Sequence, residues 1–300
     1  MRTVPDRGGC RPAFLIAGAG GMLGTALQYV LAKRGIRLVA HGEADFDITD
    51  PVVVKRRVAD FAESLAADER GVLVNAAAFT DVERAEDEPA LAYLVNEHGP
   101  VLLARAAVAD GLAFVHLSTD YVYDGLKAGP YVETDEPDPI SVYGTTKLAG
   151  DNSVFAEDSD ALIVRTAWSF GPGGVNFPVK ILEAARTRPR LNVVDDEVGS
   201  PTYTRDLVAG IVALVDAGAT GLFHLTGSGS CSRFEFAAEV LRLAGSTTPL
   251  TPVKSDAFPS KARRPHNSVL DCSKAAALGA ALPEWRDSLA EYVRELPENR

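Results

Sequence analysis

The chain has 300 residues, 46% of them hydrophobic and 24% charged, which suits one large α/β unit or two coupled lobes of a soluble enzyme. Its formal net charge of −11 argues against a nucleic-acid partner, because a phosphate backbone selects a basic footprint. No apolar run reaches the ~20 residues that a bilayer requires, so no membrane partner is expected. Cys10, Cys231 and Cys272 are odd in number and form no CxxC pair, and neither they nor the five histidines suggest a disulfide framework or a metal site.

Met1 to Pro12, with three Arg, two Gly and no apolar signal core, reads as a polar tail before the first strand and suggests a cytoplasmic protein. Phe14-Leu15-Ile16-Ala17 is a buried strand, a glycine turn follows, and Leu23 to Arg34 reads as a helix. Arg37 to Ala40, Val72 to Asn75, Phe114 to Ser118 and Leu162 to Arg165 supply further strands. Helices fill the gaps, for example Pro51 to Ala67 and Val101 to Ala109. This alternation is the βαβ signature of a parallel sheet and predicts an α/β fold with a Rossmann-type doubly wound parallel sheet. From Trp168 onward Pro and Gly become frequent, as in Gly171-Pro172-Gly173-Gly174, which predicts a smaller C-terminal substrate-binding lobe. The expected division is a dinucleotide-binding domain over 12–167, with the chain returning to it around 200–226, and a substrate lobe made mainly of 168–300.

Gly18-Ala19-Gly20-Gly21-Met22-Leu23-Gly24 lies between the first strand and the first helix, the context that turns a glycine motif into a dinucleotide fingerprint. The spacing is GxxGxxG at 18, 21 and 24. It departs from GxGxxG because position 23 is Leu. Glycine lets the turn bend tightly and lets backbone N–H groups reach a pyrophosphate at the helix N-terminus. Gly18, Gly21, Met22, Leu23 and Gly24 are therefore expected at a cofactor. After the second strand, Val39-Ala40-His41-Gly42-Glu43-Ala44 places neither an acid for an adenosine ribose nor an Arg for a 2′-phosphate, so NADPH and NADH both stay open. Asp47 and Ile48 either flank the adenine, or Asp47 belongs to the start of the helix after Thr49-Asp50.

The most informative stretch is Ser141-Val142-Tyr143-Gly144-Thr145-Thr146-Lys147, in which Tyr143 and Lys147 share a helix face at i and i+4. A free Tyr has a pKa of about 10. A neighbouring ammonium stabilises the phenolate and is expected to pull Tyr143 down, with an oxidised nicotinamide adding to the effect. Such a pair alone is common on solvated helices. Here the strand Phe114-Val115-His116-Leu117 also runs into Ser118-Thr119-Asp120-Tyr121, placing hydroxyls at a strand C-terminus, where parallel sheets put their sites.

Further segments follow in order: Asn75-Ala76-Ala77-Ala78-Phe79-Thr80-Asp81-Val82-Glu83-Arg84-Ala85-Glu86, Ser118 to Gly125, Val142 to Gly150, Arg165-Thr166-Ala167-Trp168, Gly199-Ser200-Pro201-Thr202, Gly221 to Leu225 and Arg264 to Leu270. In these, from about residue 14 to the C-terminus, the chain resembles the extended short-chain dehydrogenase/reductases, and within them the dTDP-4-dehydrorhamnose reductases.

The resemblance implies NAD(P)H-dependent reduction of the C4 keto group of a dTDP-linked deoxysugar, foremost dTDP-4-dehydro-L-rhamnose. It makes Tyr143 the general acid, Lys147 the holder of the nicotinamide ribose and Thr119 the group that orients the keto oxygen, with Asp120 close to the sugar. Ala76, Ala77 and Ala78 would line the cofactor, where small side chains let the chain pass close. Asn96 matches an Asn that supports the catalytic Lys in the wider superfamily, or is a polar residue inside a helix. Trp168 matches a tryptophan of the sugar pocket; a core Trp is the alternative, and the Gly-Pro-Gly-Gly loop after it favours a pocket wall. Asn176, Arg263 and Arg264 are candidates for nucleotide or pyrophosphate contacts, with surface salt bridging the rival for either Arg.

Nucleotide-sugar 4,6-dehydratases resemble this fold but carry Thr-Asp-Glu where this chain has Thr119-Asp120-Tyr121. A phenol does not replace a carboxylate base near neutral pH, so dehydration is disfavoured. Some family members hold magnesium at a dimer interface through a Glu soon after the third glycine. Thr25-Ala26-Leu27-Gln28 follows Gly24 here, so no metal and a monomer or weak homodimer are expected. Two other readings share these motifs: a dihydrostreptose synthase or another 4-ketoreductase of antibiotic biosynthesis, and a non-catalytic dinucleotide-binding regulatory subunit like that of methionine adenosyltransferase. The presence of Thr119, Tyr143 and Lys147 favours catalysis over the last.

Overall fold

A computed structural model of the protein describes residues 10–296. The first half alternates strand and helix: β1 (Arg11–Ala17), α1 (Met22–Lys33), β2 (Leu38–His41), α2 (Pro51–Glu63) and β3 (Glu69–Asn75). Helices α3 (Val82–Asp87), α4 (Pro89–Tyr93) and α5 (Gly99–Ala109) follow, the last two joined by a π-helical turn over Leu94–His98. Then come β4 (Ala113–Thr119), α6 (Val142–Glu157) and β5 (Leu162–Thr166). Most boundaries shift from expectation by one to three residues, and two of the shifts have a clear cause. β1 reaches back to Arg11, into the expected tail, because Arg11 and Pro12 pair with Glu69 and Arg70 of β3; the tail before residue 10 lies outside the described residues. α2 stops at Glu63, short of Ala67, because the Ser64 hydroxyl donates back to the Phe61 carbonyl at 2.7 Å and the Glu69 carboxylate takes the Ala66 N–H at 2.9 Å.

The second half is built of shorter pieces: β6 (Ser169–Phe170), α7 (Phe177–Thr187), β7 (Leu191–Val194), β8 (Val198–Gly199), β9 (Thr202–Tyr203), α8 (Thr204–Asp216), β10 (Gly221–His224), β11 (Cys231–Ser232), α9 (Arg233–Leu243), β12 (Leu250–Val253), α10 (Ser273–Ala276) and α11 (Trp285–Glu295).

Among the described residues the main sheet has six parallel strands in the order β10–β5–β4–β3–β1–β2. β1, β3, β4 and β5 are buried on both faces, as the near-continuous apolar runs in their sequences require. α1 and α8 cover one face with Leu27, Leu31, Leu207 and Ile211, and α2 and α5 cover the other with Val54, Val58, Phe61 and Leu103. Each such fully buried side chain contributes roughly 1.5–3 kcal/mol relative to exposure. Phe170, Tyr203, Phe236, Trp285, Leu289 and Tyr292 make a separate apolar cluster under the C-terminal elements. The chain crosses from β1 to β2 on one side and returns to β3 on the other. The direction of winding therefore switches between β1 and β3, and a crevice opens at their C-terminal ends. No helix among the described residues is long and apolar enough to cross a membrane.

Candidate active site

The turn after β1 forms one side of that crevice. Gly18 takes φ +88, and the Gly18 and Ala19 amides donate to the His41 carbonyl at the end of β2, at 3.1 and 2.9 Å. A Cβ on Gly18 would lie 2.5 Å from the Ala77 nitrogen, and one on Gly24 would collide with the Gly18 carbonyl. Only bare backbone lets the turn, α1 and the end of β3 touch. At Gly20 and Gly21 the reverse holds: a Cβ would meet nothing within 4 Å on Gly20, and only the Gly18 carbonyl at 3.6 Å on Gly21. Both are exposed, and Gly21 caps α1 with no side-chain bond. The positive end of α1, which begins Met22-Leu23-Gly24, is thus edged by glycine and open to an anion. Gln28 braces the turn, donating to the Ala19 and Gly24 carbonyls at 2.9 and 3.1 Å.

The loop Gly171-Pro172-Gly173-Gly174, which follows Trp168, packs on this helix end. A Cβ on Gly173 would collide with the Thr25 hydroxyl, and one on Gly174 would sit 3.8 Å from Met22. Ala76, Ala77 and Ala78 leave β3 half-buried along the crevice, with the Ala76 amide on the Ala17 carbonyl and the Ala77 amide on Asn75 Oδ1. Asp47 is exposed, and its Oδ1 accepts from the Thr49 amide and hydroxyl; Asp50, not Asp47, caps α2. Ile48 is buried against Gly99.

The opposite side is made by β4 and α6. Ser141 caps α6 by accepting from the Gly144 amide at 3.2 Å. A Cβ on Gly144 would collide with the Tyr121 carbonyl, so glycine there lets the first turn of α6 rest on the loop after β4. This brings the Tyr143 phenol beside the Thr119 hydroxyl, and the Tyr143 ring meets Tyr121 edge-on at 5.6 Å. Lys147 is 2% exposed and its Nζ donates to the Leu117 carbonyl at 2.6 Å. Burial lowers the Lys147 ammonium to about 8, with Asp151 acting the other way. Burial likewise pushes the Tyr143 phenol above its usual value, with the Thr119 hydroxyl opposing. The expected fall of the Tyr143 pKa is therefore reversed. Lost hydration disfavours the phenolate, and the Lys147 ammonium one turn away is engaged on a strand carbonyl.

Thr119 ends β4, donating to Asp120 Oδ1 at 3.0 Å and accepting from the Tyr121 amide at 3.2 Å. Asp120 is 2% exposed and its Oδ2 makes no hydrogen bond. Burial raises this carboxyl to about 6, partly opposed by the Ser268 and Thr119 hydroxyls and the Arg233 charge. Trp168 is half-buried and sits at φ +43, the one non-glycine with positive φ among the described residues. Gly199 leaves no room for a Cβ beside its indole, and the Arg233 guanidinium stacks 3.4 Å from the ring centroid.

Arg233 also exerts its charge on Asp120 and Tyr121, and sequence reasoning missed it. A signal was present. Ser232 and Glu235 form a capping box that puts Arg233 at the first residue of α9, where a cation opposes the helix dipole and needs another reason to be there.

The remaining expected residues are used differently. Asn176 is 5% exposed; its amide donates to the Gly171 carbonyl at 2.8 Å and the Tyr292 hydroxyl at 2.9 Å, and its oxygen caps α7. It ties a loop to α11, so its side chain is already engaged where a nucleotide contact was expected. Arg264 pairs with Glu83 at 2.7 Å, while its charge still reaches Tyr121; Arg263 is exposed. The hydrogen bonds of the Asn96 side chain go to other groups than Lys147. Asn96 accepts from the Phe79 amide at 2.8 Å and donates to the Phe79 carbonyl and the Thr146 hydroxyl, pinning the loop after β3 to α6.

A glycine cradle at the switch point facing a buried Tyr-Lys helix defines a short-chain dehydrogenase/reductase. The chain belongs to the RmlD substrate binding domain family, whose model matches residues 13–297. A dTDP-4-dehydrorhamnose reductase of Streptomyces griseus is 40% identical, over 94% of this chain and 93% of its own length. The crystal structure of a dTDP-4-dehydrorhamnose reductase of Clostridium acetobutylicum is 39% identical with a TM-score of 0.88, covering 95% of this chain and 99% of that one. Another from Bacillus anthracis, in complex with NADP, is 32% identical with a TM-score of 0.89 and the same coverage.

Proposed function

We propose that the protein is an NADPH-dependent reductase of the C4 ketone of a dTDP-linked deoxysugar, converting dTDP-4-dehydro-L-rhamnose to dTDP-L-rhamnose. The observation that carries this reading is the convergence of Thr119, Tyr143 and Lys147 on the C-terminal end of β4.

The cradle fits a dinucleotide, because bare backbone at Gly20 and Gly21 leaves the N-terminus of α1 open, with no side-chain cap on it. Gly18, Gly21, Met22, Leu23 and Gly24 would hold the pyrophosphate, Ala76 to Ala78 would leave room beside it, and Lys147 would hold the nicotinamide ribose. When bound, the cofactor supplies a hydride to C4. The chain does the rest. The Thr119 hydroxyl orients the keto oxygen, and Tyr143 delivers a proton to that oxygen as its charge develops. The raised pKa keeps Tyr143 protonated near neutrality, the form that a proton donor needs. Asp120, with a free buried oxygen, binds a sugar hydroxyl, Trp168 walls the ring, and Arg233 with Arg264 offers positive charge to the diphosphate. Tyr121 stands where elimination would need a carboxylate.

The test is to supply NADPH or NADH with dTDP-4-dehydro-L-rhamnose, follow cofactor oxidation and identify the sugar by NMR. Oxidation matched mole for mole by dTDP-L-rhamnose is expected. Cofactor bound but never oxidised would contradict the reading and point to a regulatory role. Oxidation with only a different keto-sugar would move the substrate.

A further inference from the structure

We infer that Asp151 is a positioning residue for this reaction: a clamped, buried carboxylate one helical turn beyond Lys147 that holds Lys147 as an ammonium in the floor of the site. The inference rests on the roles proposed above for Tyr143 and Lys147.

Tyr143, Lys147 and Asp151 succeed one another at i, i+4 and i+8, so one face of α6 carries all three. Asp151 is 1% exposed. Its Oδ2 accepts from the Ser118 hydroxyl at 2.9 Å and from Arg165 Nε at 3.1 Å. Arg165 in turn donates to the Tyr123 hydroxyl at 2.9 Å, and that hydroxyl meets His224 Nε2 at 2.9 Å. β4 and β5 thus fix the carboxylate in place. Its other oxygen, Oδ1, makes no hydrogen bond and lies 3.7 Å from His116 Nε2.

A half-satisfied carboxylate in a dry interior is costly unless surrounding cations use its charge. Three groups face it: Arg165 from β5, His116 from β4 and Lys147 on its own helix. Arg165 is permanently charged. His116 is held neutral, since burial and the Lys147 charge push it well below its usual value, and its Nδ1 is engaged with Asn75 at 3.1 Å. Lys147 is therefore the cation whose state depends on Asp151. The Leu117 carbonyl offers Lys147 a dipole, while burial works against its charge and Asp151 for it. At a charge separation of ~6–10 Å and an effective dielectric near 20, unit charges couple by about one to two pKa units. That is enough to move Lys147 from mostly charged to half or more neutral near pH 7.

The protein is labelled with lysine carrying 13C at Cε, and the Lys147 signal is assigned by its loss in Lys147→Ala. Without cofactor or substrate, Lys147 should titrate near 8 in the wild type and at least about one unit lower in Asp151→Asn, a tenfold loss of ammonium at a given pH. The alkaline limb of kcat for keto-sugar reduction should move down with it. Asn keeps the shape and an acceptor for Ser118 and Arg165, so a merely structural role would lower Tm and leave the titration and the limb in place. That result would overturn the inference. Because loss of one buried ion partner can unfold a protein, Ser118→Ala is the second variant. It weakens the clamp and should shift the Lys147 titration the same way by about two- to fivefold in ammonium ratio; an unmoved titration there also overturns the inference. A shifted titration in a protein that reduces no keto-sugar would instead sink the functional reading alone.

Discussion

Asp120 carries the clearest conflict between site and fold. Its carboxyl is raised to about 6 by burial, against an ordinary value of 3.8. A group whose folded pKa lies above its unfolded one contributes stability that is complete below the unfolded value and lost as pH rises through the folded value. At neutral pH the buried, ionised Asp120 therefore weakens the fold. Asp120→Asn should stabilise the protein at pH 7.5 by ~1–3 kcal/mol and give no such gain at pH 4, read from thermal melts at both. Turnover should fall in the same variant, because a sugar hydroxyl loses its acceptor charge. A melt equally shifted at both pH values would contradict the assignment. Thr119, Tyr143 and Lys147 were legible in the sequence because their placement depends on local spacing, a strand end and one helical turn. The direction of the Tyr143 shift was not, because desolvation belongs to the packed pocket. Arg233 was hidden for a related reason: it meets Trp168 only across the fold.

At the scale of elements, the glycine turn makes a paired prediction. Gly18→Ala puts a Cβ at φ +88 against the Ala77 backbone, and should lower stability by roughly 1–3 kcal/mol while weakening NADPH binding. Gly21→Ala meets no steric obstacle within the protein, so Tm should hold while NADPH binding weakens at least about tenfold, since the methyl occupies the phosphate approach. Calorimetry and fluorescence titration of both variants separate the two effects. Equal NADPH affinity in wild type and Gly21→Ala would remove the turn from the cofactor site. The strand–turn–helix unit was readable because burial of β1 and the amphipathic face of α1 both leave periodic patterns. Helix ends were read less well: Ser64 and Glu69 end α2 through side-chain bonds that no periodicity records.

At the scale of the molecule, a strap from the C-terminal part clasps the first half beside the site. The Ser260 hydroxyl, the Lys261 amide and Arg264 all donate to the Glu83 carboxylate of α3, and Lys261 Nζ reaches Asp87. Glu86 of the same helix accepts from the Val142 amide at the start of α6, so α3 couples the strap to the turn that carries Tyr143. Each exposed ion pair contributes only ~0–1 kcal/mol, and the clasp relies on several sharing one carboxylate. Glu83→Ala should speed hydrogen exchange over residues 258–266 and raise the KM for the nucleotide sugar more than it lowers kcat; unchanged exchange would mean the strap is held elsewhere. None of this could be read from the sequence, because Glu83 and Arg264 are far apart along the chain and nothing local marks them as partners.

Tyr143 joins these scales, since α6, the end of β4 and the cofactor crevice all converge on its phenol. The measurement to make is steady-state turnover of Tyr143→Phe with NADPH and dTDP-4-dehydro-L-rhamnose, alongside NADPH affinity by fluorescence. NADPH affinity within about twofold of wild type and kcat reduced by about 10²-fold or more are expected when a positioned proton donor is removed. Turnover close to wild type in this variant would contradict the assignment of Tyr143 as the acid.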